Sequence, residues 1–170
     1  MSMIEKAELN LLKRRNITHA YFKDSYVRVY LEDRSLPKHK VKIVESEEWV
    51  GSWWKQRAEN IIRLDSKIQE RNWFLSVAVH EVIEKWLMYD GVWKLPYDIA
   101  HPISDTIEGR WHVKMWGLES WNDYMERVEL IWEKENNNCE NWGTRNVAIA
   151  LIGALETFAS QTKAKALLLS

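Results

Sequence analysis

Five residues in a row, His80-Glu81-Val82-Ile83-Glu84, combine an imidazole and two carboxylates at a spacing that suits metal chemistry. On a helix, side chains four apart share a face, so His80 and Glu84 point the same way with Glu81 beside them. A third candidate, His101, follows a turn that carries Gly91 and Pro96. His80, Glu84 and His101 then form a two-histidine, one-carboxylate set that holds one divalent metal and leaves a position for water. Zinc is favoured, and iron or manganese also accept this donor set. Glu81 is the candidate general base, taking a proton from water as it attacks a carbonyl.

The second cluster of donors strengthens the first. His101, Asp105, Glu108 and His112 are spaced by four, three and four residues. At about 100° per residue they fall in a stripe roughly 60° wide. The short connection from Gly91 to Pro96 favours packing this stripe against the one carrying His80. Asp105, one turn after His101, is expected to orient a ligand histidine from outside the metal's own ligands. Glu108 fits as a ligand, as a similar supporting group, or as an ion-pair partner of Arg110 or Lys114. His112 reads as structural. A blander account also exists: Glu81 and Glu84 solvated and paired with Lys85, and His80 a satisfied, half-buried histidine.

Those helices need a frame. Thr18–Lys23 and Tyr26–Glu32 are rich in aromatic and β-branched residues around Asp24-Ser25, which predicts a hairpin. His39–Val44 alternates basic and apolar residues, a third strand, and Asn60–Leu64 is a short one. His19 and His39 are expected at the surface of their strands. Glu47–Asn60 reads as a loop with a helical turn. Lys67–Met88, Tyr97–Met115 and Leu118–Asn136 have helical apolar spacing, with Gly117 closing the second of these. Ser2 fits as the cap of a first helix, and residues 144–170 as a final helix or tail. Strand patterns precede helix patterns, which predicts an α+β fold: a small N-terminal antiparallel sheet packed on the metal-site helix, then further helices, all in one domain over residues 1–170.

The bulk properties narrow the function classes. The chain has 170 residues, is 46% hydrophobic and 29% charged, and carries a formal net charge of -1. That balance gives no global electrostatic case for nucleic acid, and Lys38, Lys40 and Lys42 read as the wet face of a strand. With one cysteine, Cys139, no intrachain disulfide can form, and nothing points to an oxidising compartment. Charges at Glu156, Lys163 and Lys165 interrupt the only long apolar tract near the C-terminus, so no membrane span is expected. The expected compartment is the cytoplasm, or a host's cytoplasm for a viral protein. There are 11 tryptophans, spread along the chain as core and interface residues are. Trp53 and Trp54 cannot both face one way, which places one of them at the surface. The apolar stripe of Asn146–Leu169, ending in Leu167-Leu168-Leu169, favours self-association.

The stretch Asn60–His101 resembles a zincin-type metallopeptidase. In that family a strand precedes a helix bearing HExxH, and a later helix supplies the third ligand. The gluzincin branch uses ExxxD there. Here His80-Glu81-x-x-Glu84 is followed by His101-x-x-x-Asp105, the gluzincin pattern with its second and third ligands exchanged. The resemblance implies a peptidase with a peptide or protein substrate, and it implies that Ile61–Asp65 is the edge strand along which an extended substrate lies. The HExxE box, the Gly91–Tyr97 connection and the Ala100-His101 pair also resemble small proteins of phages and archaeal viruses. A different resemblance uses the same carboxylates: Glu81-x-x-Glu84 and Asp105-x-x-Glu108 are similar to the magnesium-binding acidic pairs of all-α nucleotide pyrophosphohydrolases. A third reading keeps the scaffold as a non-catalytic binding or assembly module.

Overall fold

The computed structural model describes residues 9–45, 50–56 and 59–135. It has the expected α+β layout, a sheet followed by helices. Residues 9–13 are helical and lead into β1 (Ile17–Lys23) and β2 (Tyr26–Leu31). These strands pair antiparallel across Asp24 and Ser25, whose φ angles of 50° and 63° suit a tight two-residue turn. Next come β3 (His39–Val44), β4 (Gly51–Gln56) and β5 (Glu59–Asp65). The helix α1 (Arg71–Lys85) runs into a π-helical turn, Trp86–Asp90, and α2 (Tyr97–Glu135) completes the described chain. Gly117, at φ 90°, bends α2 into two arms, as expected from its position between two helical patterns.

The sheet differs from expectation in three respects. Its order is β1-β2-β3-β5-β4, and β3 pairs with β5 in parallel, so the sheet is mixed rather than antiparallel. The stretch expected as a loop is β4, which pairs antiparallel with β5. Because β4 inserts outside β5, Ile61–Asp65 is an interior strand and β4 forms the edge. Which strands pair is fixed by contacts between segments distant in sequence, and local propensity does not encode that choice.

One face of the sheet carries the core. Val27, Val29, Leu31, Ile62 and Leu64 are buried there against α1, whose Val79, Val82, Ile83 and Leu87-side surface is enclosed in turn by Ala100, Ile103, Ile107 and Trp111 of α2. From Ser76 to Lys85 every residue of α1 is buried, polar ones included. A helix enclosed on all sides must satisfy its polar groups internally. His39 is part of this interior and is fully buried, contrary to the surface position expected, because its strand position faces Val27. Among the described residues, no helix is long and apolar enough to cross a membrane. The proposed first helix cap at Ser2, the C-terminal segment with its self-association surface, and the side chains of Trp132 and Trp142 lie outside the described residues.

Candidate metal centre

Three elements converge on His80. It projects from the middle of α1, and the first arm of α2 brings His101, Asp105 and Glu108 against it, while β4 closes the third side. His80 Nε2 lies 3.1 Å from His101 Nδ1. Glu84 Oε2 is 2.6 Å from His101 Nδ1 and 3.6 Å from His80 Nε2. These three atoms form a triangle, each from a residue expected as a ligand. Tetrahedral zinc with bonds of 2.0–2.1 Å separates its ligand atoms by about 3.3 Å. The observed edges bracket that value, so small side-chain rotations bring all three to bonding distance.

The outer nitrogens are engaged differently. His80 Nδ1 lies 3.2 Å from Asp105 Oδ1 and 3.2 Å from Glu108 Oε2. Asp105 Oδ2 lies 3.8 Å from His101 Nε2, is buried and has no hydrogen-bond partner. Asp105 thus stands behind both histidines. When His80 Nδ1–H donates to these carboxylates, Nε2 is left with its lone pair toward the triangle. His80, His101 and Asp105 also each offer a donor atom within 4.8 Å of the others. The two carboxylates differ in which side of the imidazoles they occupy: Glu84 shares the side of the convergent nitrogens, Asp105 the opposite one.

Glu81 is apart from this network. Its carboxylate lies over Gly51 of β4, where an added Cβ would stand 2.7 Å from Oε1. It is 8% exposed, and among the described residues no ion pair holds it. Burial, opposed by His80 and reinforced by Glu84, raises its pKa to about 8. Burial also opposes the charged form of His80, but Asp105, Glu108 and Glu84 outweigh it and hold the imidazole well above its ordinary value. For Glu84 burial is likewise opposed and outweighed, by His101 and His80, and its pKa lies well below the carboxylate range. Burial raises Glu108. A proton on His80 balances the surrounding carboxylates, and a divalent ion would compete for that role.

Three residues that the spacing of the sequence did not single out as site members complete the surroundings. Trp53 Nε1–H donates to Glu84 Oε1 at 2.8 Å and fixes that carboxylate from β4. Tyr97 stacks on His101 with ring centroids 4.9 Å apart, one turn earlier on α2, a spacing that was visible in the chain. Tyr124, from the second arm of α2, stands beside Glu108, which raises its pKa together with burial. His112 does not join the cluster. Its two ring nitrogens meet Ser76 Oγ at 2.6 Å and Ser120 Oγ at 3.1 Å, the structural role expected of it.

The chain matches no family model, no curated protein and no solved structure.

The blander account of the HExxE box fails for its glutamates, while His80 is hydrogen-bonded through both ring nitrogens as that account had it. Glu81 and Glu84 are buried rather than solvated. Lys85 is fully buried too, and it pairs with Asp90 at 2.5 Å and donates to Asn60 Oδ1 at 2.9 Å instead of meeting either glutamate. The π-helical turn makes that pairing: it places Asp90, five residues on, over the lysine.

Proposed function

We propose that this protein is a metal-dependent hydrolase of zincin type that cleaves a peptide bond. The observation carrying this reading is the triangle of His80 Nε2, His101 Nδ1 and Glu84 Oε2, backed by Asp105 on the far side of both imidazoles. Zinc is the favoured ion for such a donor set, with iron or manganese as alternatives. A divalent ion held there supplies Lewis acidity, polarising a carbonyl and making water a better nucleophile.

The chain's own residues do the rest. Glu81, held by a divalent ion beside it as the carboxylate rather than the acid that burial favours, accepts a proton from the attacking water as the C–O bond forms and returns it to the departing amine nitrogen as the C–N bond breaks. Its enclosed position against β4 keeps bulk water from competing for that proton. Trp53 and Asp105 hold Glu84 and the histidines in place through the reaction. An extended peptide fits along β4, because among the described residues no strand pairs with its outer edge. The five-stranded sheet removes the all-α frame on which the pyrophosphohydrolase resemblance depended.

Metal analysis of protein purified without added metal or a histidine tag tests the ligands. About one transition-metal ion per chain is expected, lost in His80→Ala and in His101→Ala. Full metal content in both variants would show that the ligand set is wrong. Glu81→Gln should keep the metal and abolish cleavage of a peptide library; loss of metal would make Glu81 a ligand. A metal-loaded protein that cleaves no peptide would be a binding module on this scaffold.

A further inference from the structure

The metal cluster lies on one side of the sheet, and the other side carries unrelated chemistry. An irregularity between Ile17 and His19 lets Ile17 face inward, and alternation turns Ala20 and Phe22 of β1 and Val27, Val29 and Leu31 of β2 inward too. It turns His19, Tyr21 and Lys23 of β1 outward, and Tyr26, Arg28 and Tyr30 of β2. Lys40 faces Tyr26 across the β2–β3 ladder, so Lys42 is outward as well. No Asp or Glu stands at an outward position of β1, β2 or β3. The net charge of -1 averages over the whole sequence; on these three strands the outward charges are basic, with Asp24, Glu32 and Asp33 at the border of the face.

The aromatic residues on this face are ordered. His19 stacks on Tyr30 with centroids 4.0 Å apart, and Tyr21 lies 6.1 Å from each ring. All three planes agree to within 17°. The hydroxyls of Tyr21 and Tyr30 are 3.3 Å apart. Lys38 Nζ sits 4.7 Å from the centre of the Tyr26 ring. Cross-strand aromatic pairs also stabilise a sheet by themselves, but they need no flanking cations. A pile of parallel rings flanked by cations instead matches a ligand with flat π-faces and regular negative charge.

We propose that this outer face binds single-stranded nucleic acid, independently of the metal centre. Lys23, Arg28 and Lys42 meet the phosphates, and an unpaired base extends the pile at Tyr21 or Tyr30. A duplex keeps its base faces covered and cannot make the second contact. An acidic peptide uses the charges but leaves the rings without a partner.

Fluorescence polarisation with a labelled oligothymidine of about twelve nucleotides tests this, with site sizes of that order typical of such surfaces. Binding is expected at low salt and should weaken steeply between about 50 and 200 mM. Tyr21→Ala/Tyr30→Ala should lower oligonucleotide affinity about tenfold or more and leave polyglutamate binding unchanged. Lys23→Glu/Lys42→Glu should weaken both, and His80→Ala neither. Circular dichroism establishes that each variant is folded, and Tyr21→Leu/Tyr30→Leu replaces the alanine pair if it is not. No oligonucleotide binding at low salt overturns the proposal. So does equal affinity for polyglutamate and oligothymidine, or an unchanged affinity in the tyrosine variants. Binding to phosphatidylserine vesicles without binding to oligonucleotide would identify a membrane surface instead.

Discussion

At the residue scale, the division of labour between two carboxylates is the sharpest consequence of the site's geometry. Glu84 and Asp105 are both near the histidines, yet they face opposite nitrogens of His80. Glu84→Gln removes a charged donor from the convergent side, whereas Asp105→Asn removes only support for the imidazoles. Outer supports of this kind typically change metal affinity by about 10–100-fold. Asp105→Asn should therefore bind zinc within that range of the wild type, and Glu84→Gln should fall well below it. Competition titration with a coloured chelator measures both. The reverse order would move the ion to the Asp105 side and make His80, His101 and Asp105 the ligands.

At the element scale, β4 couples the sheet to the site. It is the edge strand, it supplies Trp53 to Glu84, and its Gly51 lets Glu81 and Val77 approach the backbone. A Cβ at Gly51 would stand 2.4 Å from Val77 Cγ1 and 2.7 Å from Glu81 Oε1. Both neighbours belong to a packed helix and cannot move freely. Gly51→Ala should cost about 1–3 kcal/mol, the usual range for overpacking, read as a lower midpoint in urea denaturation. It should also lower peptide turnover beyond what that destabilisation explains, because Glu81 is displaced. An unchanged denaturation midpoint would mean that β4 shifts outward as a unit and does not press on α1.

At the scale of the whole molecule, buried histidines set the acid limit of stability. Burial, with Lys85 next, lowers the pKa of His39 to about 4, and burial lowers that of His112 to about 4. Both folded values lie below the ordinary 6.5, so the unfolded chain binds the extra protons between those limits. Stability is then full above about pH 6.5 and falls as the pH drops toward 4, by roughly 3 kcal/mol for each histidine. Urea midpoints measured from pH 7 to 4 should show this slope. His112→Asn keeps polar contacts to the serines without the titration and should roughly halve the slope, His39 supplying the remainder. A slope identical in wild type and variant would assign the acid lability to the carboxylates around His80 instead.

Much of the candidate site was legible in the chain because its members sit on helices, where spacing translates directly into direction. His80, Glu84, His101, Asp105 and Glu108 follow one another by three or four residues within their helices, and the short turn between those helices limits how they can pack. The α+β order and the Asp24-Ser25 hairpin were legible for the same reason, since local pattern and turn chemistry act over a few residues. Sheet order was not. The parallel β3–β5 pairing, the edge position of β4 and the burial of His39 depend on contacts between distant segments, which no local period records. Trp53 reaches Glu84, and Gly51 reaches Glu81, only because β4 lies outside β5. The sheet also stands between the acidic cluster on the helices and the cations and rings on its outer face. A single net charge merges the two; only the fold divides them, by packing the acid-bearing helices on one face of the sheet while alternation turns the strand cations and rings to the other.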